Sequence, residues 1–306
     1  MTEICDGDRK HNMRIRSIVV AIGALAVAPL APAAECDRAC LRAITSSYLA
    51  ALVEHNPSKA PMASGFRSTE NAVDVKPGDG LWKSVNAIGG FQRIYVDAVQ
   101  GQTGFFGLLE EGGVPAIVSL RLKVVDKKIT EAEAIIGRKG VSLYEPQNLI
   151  DHGPSDRPIH KSLRSTREQM IAAAASYFDG AQTQSPSVAL QRPGCDRYEN
   201  GVKMTNRAGA GAGGVATNRD CAGTLENMKQ IAAVVNRRYP VVDEETGMVM
   251  ATAVFTRPPG AKRNDGTLWP RLLLTEFFPV EQGKFTAIYA AMFYLPPEIP
   301  DSGWKE

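Results

Sequence analysis

The first half of this chain recurs in its second half at a nearly constant spacing. At an offset of 129 residues, ten of the 31 positions from 43 to 73 carry the identical residue. The matches include Tyr48 with Tyr177 and Glu70-Asn71 with Glu199-Asn200. Further matches follow in the same order at slightly larger offsets. A collinear series of this kind indicates a tandem duplication, so we expect two copies of one folding unit.

Each copy has the same predicted order of elements. Apolar residues at helical spacing predict a first helix around Leu41–Leu52 and around Met170–Ala181, the latter after a capping box formed by Ser165 and Glu168. A second helix is predicted from Leu81 to Ile88 and from Leu225 to Asn236. Strands follow at 105–109, 116–124 and 129–136 in the first copy, and at 241–242, 248–256, 272–278 and 285–293 in the second. Helices followed by an antiparallel meander indicate the α+β class.

The N-terminal residues predict export. Arg14 and Arg16 precede the apolar stretch Ile18–Leu30, and Ala31-Pro32-Ala33 resembles a signal-peptide cleavage site. We therefore interpret residues 1–34 as an upstream extension and a cleaved signal, which predicts a periplasmic or secreted protein. A retained N-terminal anchor helix is the alternative.

The rest of the chain divides into three parts. Residues 35–138 and 165–306 form the two predicted domains, and residues 139–164 form a proline-containing linker or wrapping segment. Four cysteines remain after cleavage, and an even number in an exported chain favours disulfides. They allow three pairings, among which the sequence does not choose. We favour Cys36 with Cys40 and Cys195 with Cys221, the latter because it would tie a glycine-rich loop.

Composition and missing motifs exclude several functions. The 35 basic and 33 acidic residues give a net charge of +2 without a long basic run, so no nucleic-acid partner is predicted. The chain contains no P-loop, nucleophile elbow or HExxH motif, and its histidines follow no metal-ligand spacing. No metal and no cofactor are therefore expected.

The repeated unit resembles the nuclear transport factor 2-like (NTF2-like, or SnoaL-like) superfamily. The resemblance rests on four stretches, Gly80-Leu81-Trp82, Lys128–Glu133, Glu199-Asn200-Gly201 and Arg237–Glu245. These stretches are similar to those of a group of exported or cytosolic proteins of poorly defined function. It implies two tandem cone-shaped domains, each with helices packed on a curved antiparallel sheet. It also implies that the two sheets pack face to face as a pseudo-dimer, and that a homo-oligomer forms through such faces.

The same resemblance implies a class of chemistry. Superfamily enzymes such as ketosteroid isomerase and scytalone dehydratase mostly use carboxylates with His, Tyr or Arg inside an apolar cone, without an organic cofactor or metal. Other members only bind or dimerise. We therefore expect a cofactor-independent lyase, dehydratase or isomerase acting on a small apolar or aromatic molecule. The alternative is a non-catalytic binding or protein-interaction module.

Glu276 is the strongest catalytic candidate, because it lies among Leu and Phe residues of a predicted strand. Burial there predicts either a raised pKa and an acid–base role or an arginine partner. The repeat comparison pairs Glu276 with Arg121 and pairs Tyr289 with Glu133. Arg238 is expected near the cone mouth, where it would hold a substrate carboxylate or neutralise Glu276.

The remaining candidates are aromatic residues and one histidine. His55 is an alternative general base or a surface-loop histidine. Tyr177 and Tyr48 lie on the core-facing stripes of the first helices, either as proton donors or as ordinary core tyrosines. Trp82 and Tyr289 are candidates, with Tyr48, for substrate binding, although Trp82 would serve equally as a core residue.

Overall fold

The computed structural model describes residues 36–140, 143–208, 218–262, 265–296, 298–299 and 304. The predicted signal segment lies outside these residues. No helix in the described part of the chain has the length and apolar character needed to cross a membrane. No group of three or more His, Cys, Asp or Glu side chains in that part is arranged to hold a metal ion.

Each copy begins with a long capped helix. Helix α1 spans Arg38–Val53 and is capped by the Asp37 side chain, which accepts a hydrogen bond from the Cys40 amide. Helix α4 spans Arg167–Thr183 and begins with a capping box between Thr166 and Gln169. The cap is therefore one residue later than the predicted Ser165 and Glu168 pair. A short helix in the connecting segment, α3, spans Gln147–His152.

The second predicted helix is wrong in both copies. In the first copy, α2 covers only Leu81–Ser84, and the chain continues directly into strand β3, Val85–Asp97. In the second copy, a 3-10 turn at Ala222–Asn227 precedes strand β9, Val234–Asp243. In the first copy, Gly89-Gly90 does not end a helix but lies where the register of β3 against its neighbour shifts, which is typical of a bulge.

Each copy forms one six-stranded sheet. The first contains β1 (Met62–Glu70), β2 (Val73–Asp74), β3, β4 (Gln102–Glu111), β5 (Val114–Val125) and β6 (Lys128–Gly137) in the order β2-β1-β6-β5-β4-β3. The second contains β7 (Gln191–Glu199), β8 (Val202–Lys203), β9, β10 (Met248–Phe255), β11 (Arg271–Glu281) and β12 (Lys284–Leu295) in the matching order β8-β7-β12-β11-β10-β9. The predicted α+β class with two tandem units is confirmed.

Strands β1 and β7 depart from the predicted antiparallel meander, because they run parallel to β6 and β12. The repeated Asn71 and Asn200 explain how this parallel pairing ends. The Asn71 side chain accepts from the Ile136 amide at 2.8 Å and donates to the Ile136 carbonyl, and Asn200 does the same with Met292. Each side chain extends the ladder by one step as its own backbone turns with positive φ.

The two sheets pack against each other through their outer faces. The ring of Phe106 in the first copy stacks on Phe277 in the second, with centroids 4.6 Å apart, and Tyr95 lies beside them. These residues belong to a buried apolar cluster distinct from the cores under α1 and α4. The faces expected to join separate chains are thus in contact within one chain, and a homo-oligomer stays a prediction.

Two reciprocal ion pairs also join the copies. Arg38, the first residue of α1, donates two hydrogen bonds to Asp243, which also accepts from the Val96 amide. Arg167, the first residue of α4, binds Asp97, which accepts from the Val242 amide. The two arginines are 129 residues apart, so the duplication accounts for both. Asp243 therefore carries more than the turn chemistry that its sequence context suggests.

The structure contains both predicted disulfides, Cys36–Cys40 and Cys195–Cys221. The first joins the start of α1 to the residues preceding it. The second ties β7 to the 3-10 turn at Ala222–Asn227, and the Cys221 amide also donates to the Cys195 carbonyl. The second pair matters for function because Arg197, two residues from Cys195, lines the cavity described below, and Thr224, three residues from Cys221, accepts a hydrogen bond from Arg197.

Candidate active site

The cone of the second copy contains a cavity of about 250 Å³ between α4, residues 228–231 after the 3-10 turn, and the inner face of the sheet. Its lining is mainly apolar. The apolar and aromatic contributors are Leu143, Met204, Met228, Ile231, Phe255, Trp269, Leu272, Leu274, Met292 and Tyr294. The polar contributors are Tyr177, Arg197, Glu199, Gln230, Arg257 and Glu276. An apolar chamber with a few converging polar groups is the usual form of a small-molecule site.

Glu276 is the polar group on the floor of this cavity. On β11 it lies opposite Ala251 of β10 and Ala290 of β12, so its side chain shares the inner face of the sheet with theirs. The residue is 3% exposed, and its Oε2 is buried without a hydrogen bond from any described residue. An unsatisfied carboxylate oxygen in an apolar chamber is costly, which makes the neutral acid the favoured form.

The surroundings of Glu276 raise the pKa of its carboxyl. Burial raises the pKa of this carboxyl to about 8. The positive charge of Arg197 acts in the opposite direction, and the negative charge of Glu199 adds to the rise. A carboxyl that titrates near neutral pH can both give and take a proton under physiological conditions.

A second buried group, Arg197 on β7, organises the polar side of the cavity. Its Nη1 donates to the Tyr177 hydroxyl at 2.8 Å and to Thr224 Oγ1 at 2.8 Å. Its Nε lies 3.0 Å from Oε1 of Glu199. Because the Tyr177 oxygen accepts this charged donor, its own hydrogen can point towards a ligand. Burial raises the pKa of Tyr177, although Arg197 opposes the rise, so the phenol stays protonated.

Sequence reasoning missed Arg197. It lies in a strand, Gln191–Glu199, whose residues show no apolar alternation, and its repeat partner at the 129-residue offset is Ser68. One signal was available, namely an arginine two residues before the repeated Glu-Asn pair in only one copy. A charge present in only one of two duplicated units indicates a property that the other unit lacks.

The register of the strands corrects the repeat partner of Glu276. In the first sheet, Glu70 pairs with Ala134, which pairs with Leu120. In the second sheet, Glu199 pairs with Ala290, which pairs with Glu276. Glu276 therefore corresponds to Leu120 and not to Arg121. Since neighbouring strand residues face opposite sides, this shift of one residue moves Arg121 to the outer face.

Arg121 and Glu133 both lie on that outer face. Glu133 accepts hydrogen bonds from Arg121 Nε at 3.0 Å and from both terminal nitrogens of Arg238. Arg238 thus forms a buried ion pair with Glu133 between the two sheets and does not line the cavity. Tyr289 also faces outward, where it stacks on Tyr198 with centroids 5.3 Å apart.

The other predicted residues belong to the first copy. Tyr48 lies on the buried face of α1, and its ring meets that of the buried Trp82 edge to face, with ring centroids 5.1 Å apart. His55 is an exposed residue with positive φ just after α1, and its Nδ1 lies 2.7 Å from the Trp82 carbonyl oxygen. Of the seven predicted site residues, the structure therefore brings Glu276 and Tyr177 together at one cavity.

Comparisons with known proteins describe the fold of this chain better than its chemistry. A family model described as a domain of unknown function (DUF8021) matches residues 163–292. A search of curated proteins found no match.

Several solved structures are similar in fold. An NTF2-like protein of unknown function from Cytophaga hutchinsonii is 10% identical, with a TM-score of 0.27 over 32% of this chain and 89% of that one. A protein of unknown function with a cystatin-like fold from Methylobium petroleophilum is 16% identical, with a TM-score of 0.29 over 44% and 81%. A de novo designed protein with a curved β-sheet is 15% identical, with a TM-score of 0.27 over 32% and 85%. The activity therefore has to be inferred from the cavity and its side chains.

Proposed function

We propose that the second unit is an enzyme that transfers protons to and from a small apolar or aromatic molecule, in a lyase, dehydratase or isomerase reaction. One observation carries this proposal. The carboxyl of Glu276 is buried in an apolar cavity, with one oxygen unpaired and a pKa of about 8. Perturbed acids in enclosed cavities are the usual form of a general acid–base catalyst.

The character of the substrate follows from the lining. Apolar and aromatic side chains form most of the wall, and Trp269 and Tyr294 are among them. A ligand of this cavity gains binding free energy mainly by burying apolar surface. The predicted absence of a cofactor stays part of the proposal, since proton transfer by side chains requires none.

The hydrogen bonds in the cavity indicate a role in the reaction for each polar side chain. Glu276 takes a proton from the substrate in its ionised form and returns it elsewhere in its neutral form. Tyr177 donates its hydroxyl hydrogen to the substrate oxygen on which negative charge develops. The Arg197 guanidinium, held by Thr224 and Glu199, supports that oxygen through Tyr177 and is a positioning residue.

Export from the cytoplasm is part of the same proposal. The disulfides Cys36–Cys40 and Cys195–Cys221 support an oxidising compartment, because such bonds persist outside the cytosol.

The test begins with a thermal-shift screen of aromatic and terpenoid molecules, followed by product analysis by mass spectrometry for each molecule that stabilises the protein. We expect Glu276→Gln to lower turnover by about 10²–10⁴-fold while ligand binding persists. Glu281→Gln, on the same strand but outside the cavity, is the matched control and should retain turnover.

Three results would overturn the proposal. Unaltered turnover in Glu276→Gln would remove the acid–base role. Ligands that stabilise the protein but are recovered unchanged would support a non-catalytic binding module, and the absence of any ligand would favour a protein-interaction module.

A further inference from the structure

The inner face of the second sheet presents three successive rows of residues across β10, β11 and β12. In order along β11, Glu276 pairs with Ala251 and Ala290, Leu274 pairs with Ala253 and Met292, and Leu272 pairs with Phe255 and Tyr294. Each residue advances a strand by about 3.3 Å, so the row of Leu272 lies about 13 Å from the row of Glu276. The cavity reaches both rows, because residues of each line it.

The end of the cavity away from Glu276 is aromatic. Phe255 and Tyr294 flank Leu272 in its row, and Trp269 lies three residues before Leu272 in the chain. All four side chains line the cavity. We call this the aromatic end, and the end at Glu276 the polar end.

The first unit does not repeat the aromatic end. Its strand register places Leu109 and Ala116 at the positions of Phe255 and Leu272, and Arg138 at the position of Tyr294. The aromatic side chains of this row therefore occur only in the copy that also carries the buried carboxyl.

Trp269 comes from a connection that the first unit lacks. Residues 256–270 join β10 to β11, whereas Gly112-Gly113 alone joins the equivalent strands β4 and β5. Of the longer connection, the structure describes residues 256–262 and 265–270. The second unit has thus gained a segment that contributes an indole ring to the cavity wall.

Contacts within the described part of this connection hold Trp269 in place. Its amide donates to the Ala261 carbonyl at 2.9 Å, and the Arg257 guanidinium lies 4–6 Å away from its ring, at 5.3 Å from the centroid. Arg257 Nε donates to the Pro270 carbonyl at 3.1 Å, and its Nη1 donates to the Gln230 carbonyl at 3.4 Å. A ring fixed in this way loses little conformational freedom when it contacts a ligand.

We infer that the cavity selects an elongated ligand with an aromatic ring at one end and an oxygen-bearing reacting group at the other. The ring lies among Phe255, Trp269 and Tyr294, where aromatic contacts contribute beyond the burial of apolar area. The oxygen lies at Tyr177, beside Glu276, and this half of the inference rests on the proposed function. Trp269 is the specificity-determining residue for the ring.

The experiment compares two isomeric ketones that differ in the separation between ring and carbonyl. Benzylacetone has two methylene groups between them, whereas butyrophenone carries its carbonyl directly on the ring. A third probe, cyclohexylethyl methyl ketone, replaces the ring of benzylacetone with a saturated one. Calorimetric titration of the full chain should show that benzylacetone binds at least about threefold more tightly than either of the other ketones.

Substitutions assign the ring preference to one side chain. Trp269→Leu should bind benzylacetone and its cyclohexyl analogue with equal affinity, and Trp269→Phe should keep the preference for the aromatic ring. Leu268→Ala, at an exposed position of the same connection that does not line the cavity, is the matched control and should bind as the wild type does.

Glu276→Gln separates this inference from the proposed function. It should keep the ring preference, because it alters only the polar end. Unchanged turnover in Glu276→Gln together with an intact ring preference would remove the catalytic proposal alone. Equal affinities of the wild type for the three ketones, no saturable binding of benzylacetone, or an unchanged preference in Trp269→Leu would overturn the inference.

Discussion

In the first unit, the ring of Trp82 packs against Tyr48 beneath α1, whereas in the second unit the phenol of Tyr177 borders a cavity of about 250 Å³. The two tyrosines are repeat partners on equivalent helices. Both tyrosines contact aromatic rings, and Tyr177 also accepts a hydrogen bond from Arg197, whose repeat partner is Ser68. The comparison teaches that equivalent helices of one scaffold can bury a tyrosine against a tryptophan in one copy and present a tyrosine to a cavity in the other.

The floor of each cone shows the same contrast. Leu120 occupies in the first unit the strand position that Glu276 occupies in the second. The leucine is 2% exposed among other apolar side chains, and the glutamate is equally buried but faces the cavity. A carboxyl is therefore tolerated where a cavity and a nearby arginine accompany it.

The largest expected effect comes from transferring the carboxyl to the first cone. Leu120→Glu should lower the free energy of unfolding by about 5 kcal/mol at pH 7, because the buried acid must stay neutral or ionise without a partner. Urea unfolding measures the change. Val125→Glu, at the exposed end of the same strand, is the control and should change stability little. A mild effect of Leu120→Glu would show that the floor of the first cone accepts a carboxyl as readily as that of the second.

An intermediate effect should appear in the pH dependence of stability. The folded protein keeps the Glu276 proton up to about pH 8, whereas unfolding restores the ordinary pKa of 4.5. Between these values the native state binds one proton more than the unfolded state, so the free energy of unfolding falls as pH rises. From pH 5.5 to 8, we expect this residue to account for a loss of about 3 kcal/mol.

Paired unfolding curves isolate this contribution. Glu276→Gln should show a shallower decline than the wild type, and Glu281→Gln should follow the wild type. Parallel curves for wild type and Glu276→Gln would contradict the raised pKa and remove the distinction between the two cone floors.

The smallest expected effect concerns equivalent turns. Ala72 and Gly201 are repeat partners with φ of +70° and +80°. Ala72→Gly should raise the free energy of unfolding by about 1 kcal/mol, because glycine adopts this backbone conformation without strain. Gly201→Ala should cost more than that, since its Cβ would lie 2.0 Å from the Glu145 carbonyl oxygen. Thermal unfolding of both variants tests this asymmetry, and effects of equal size would contradict it.

The sequence supported the main elements of the fold. The helices α1 and α4 and the last strands of each sheet were predictable, because their apolar residues follow regular periods. Strands β1 and β7 were not predictable in this way. They lie near a sheet edge, and their residues, including Arg67 and Arg197, obtain partners only after the chain has folded.

The candidate site was predictable in part for a related reason. A charged residue among Leu and Phe identified Glu276, and helical spacing identified Tyr177. Neither observation reveals on which face a strand residue lies, and an error of one residue in the repeat comparison paired Glu276 with the outward-facing Arg121. Only pairing between strands settles that face, because alternate residues point to opposite sides of a sheet.

The sequence alone determined that this protein is a duplicated α+β chain with a carboxyl in an apolar strand. The tertiary structure decided that Tyr177 and Glu276 share a cavity, that Arg197 faces Tyr177, and that Asp156 of the connecting segment pairs with Arg42 of α1. The physical reason is that local patterns specify helices, strands and turns. Which buried charges meet depends on strand register and on the packing of two sheets distant in sequence.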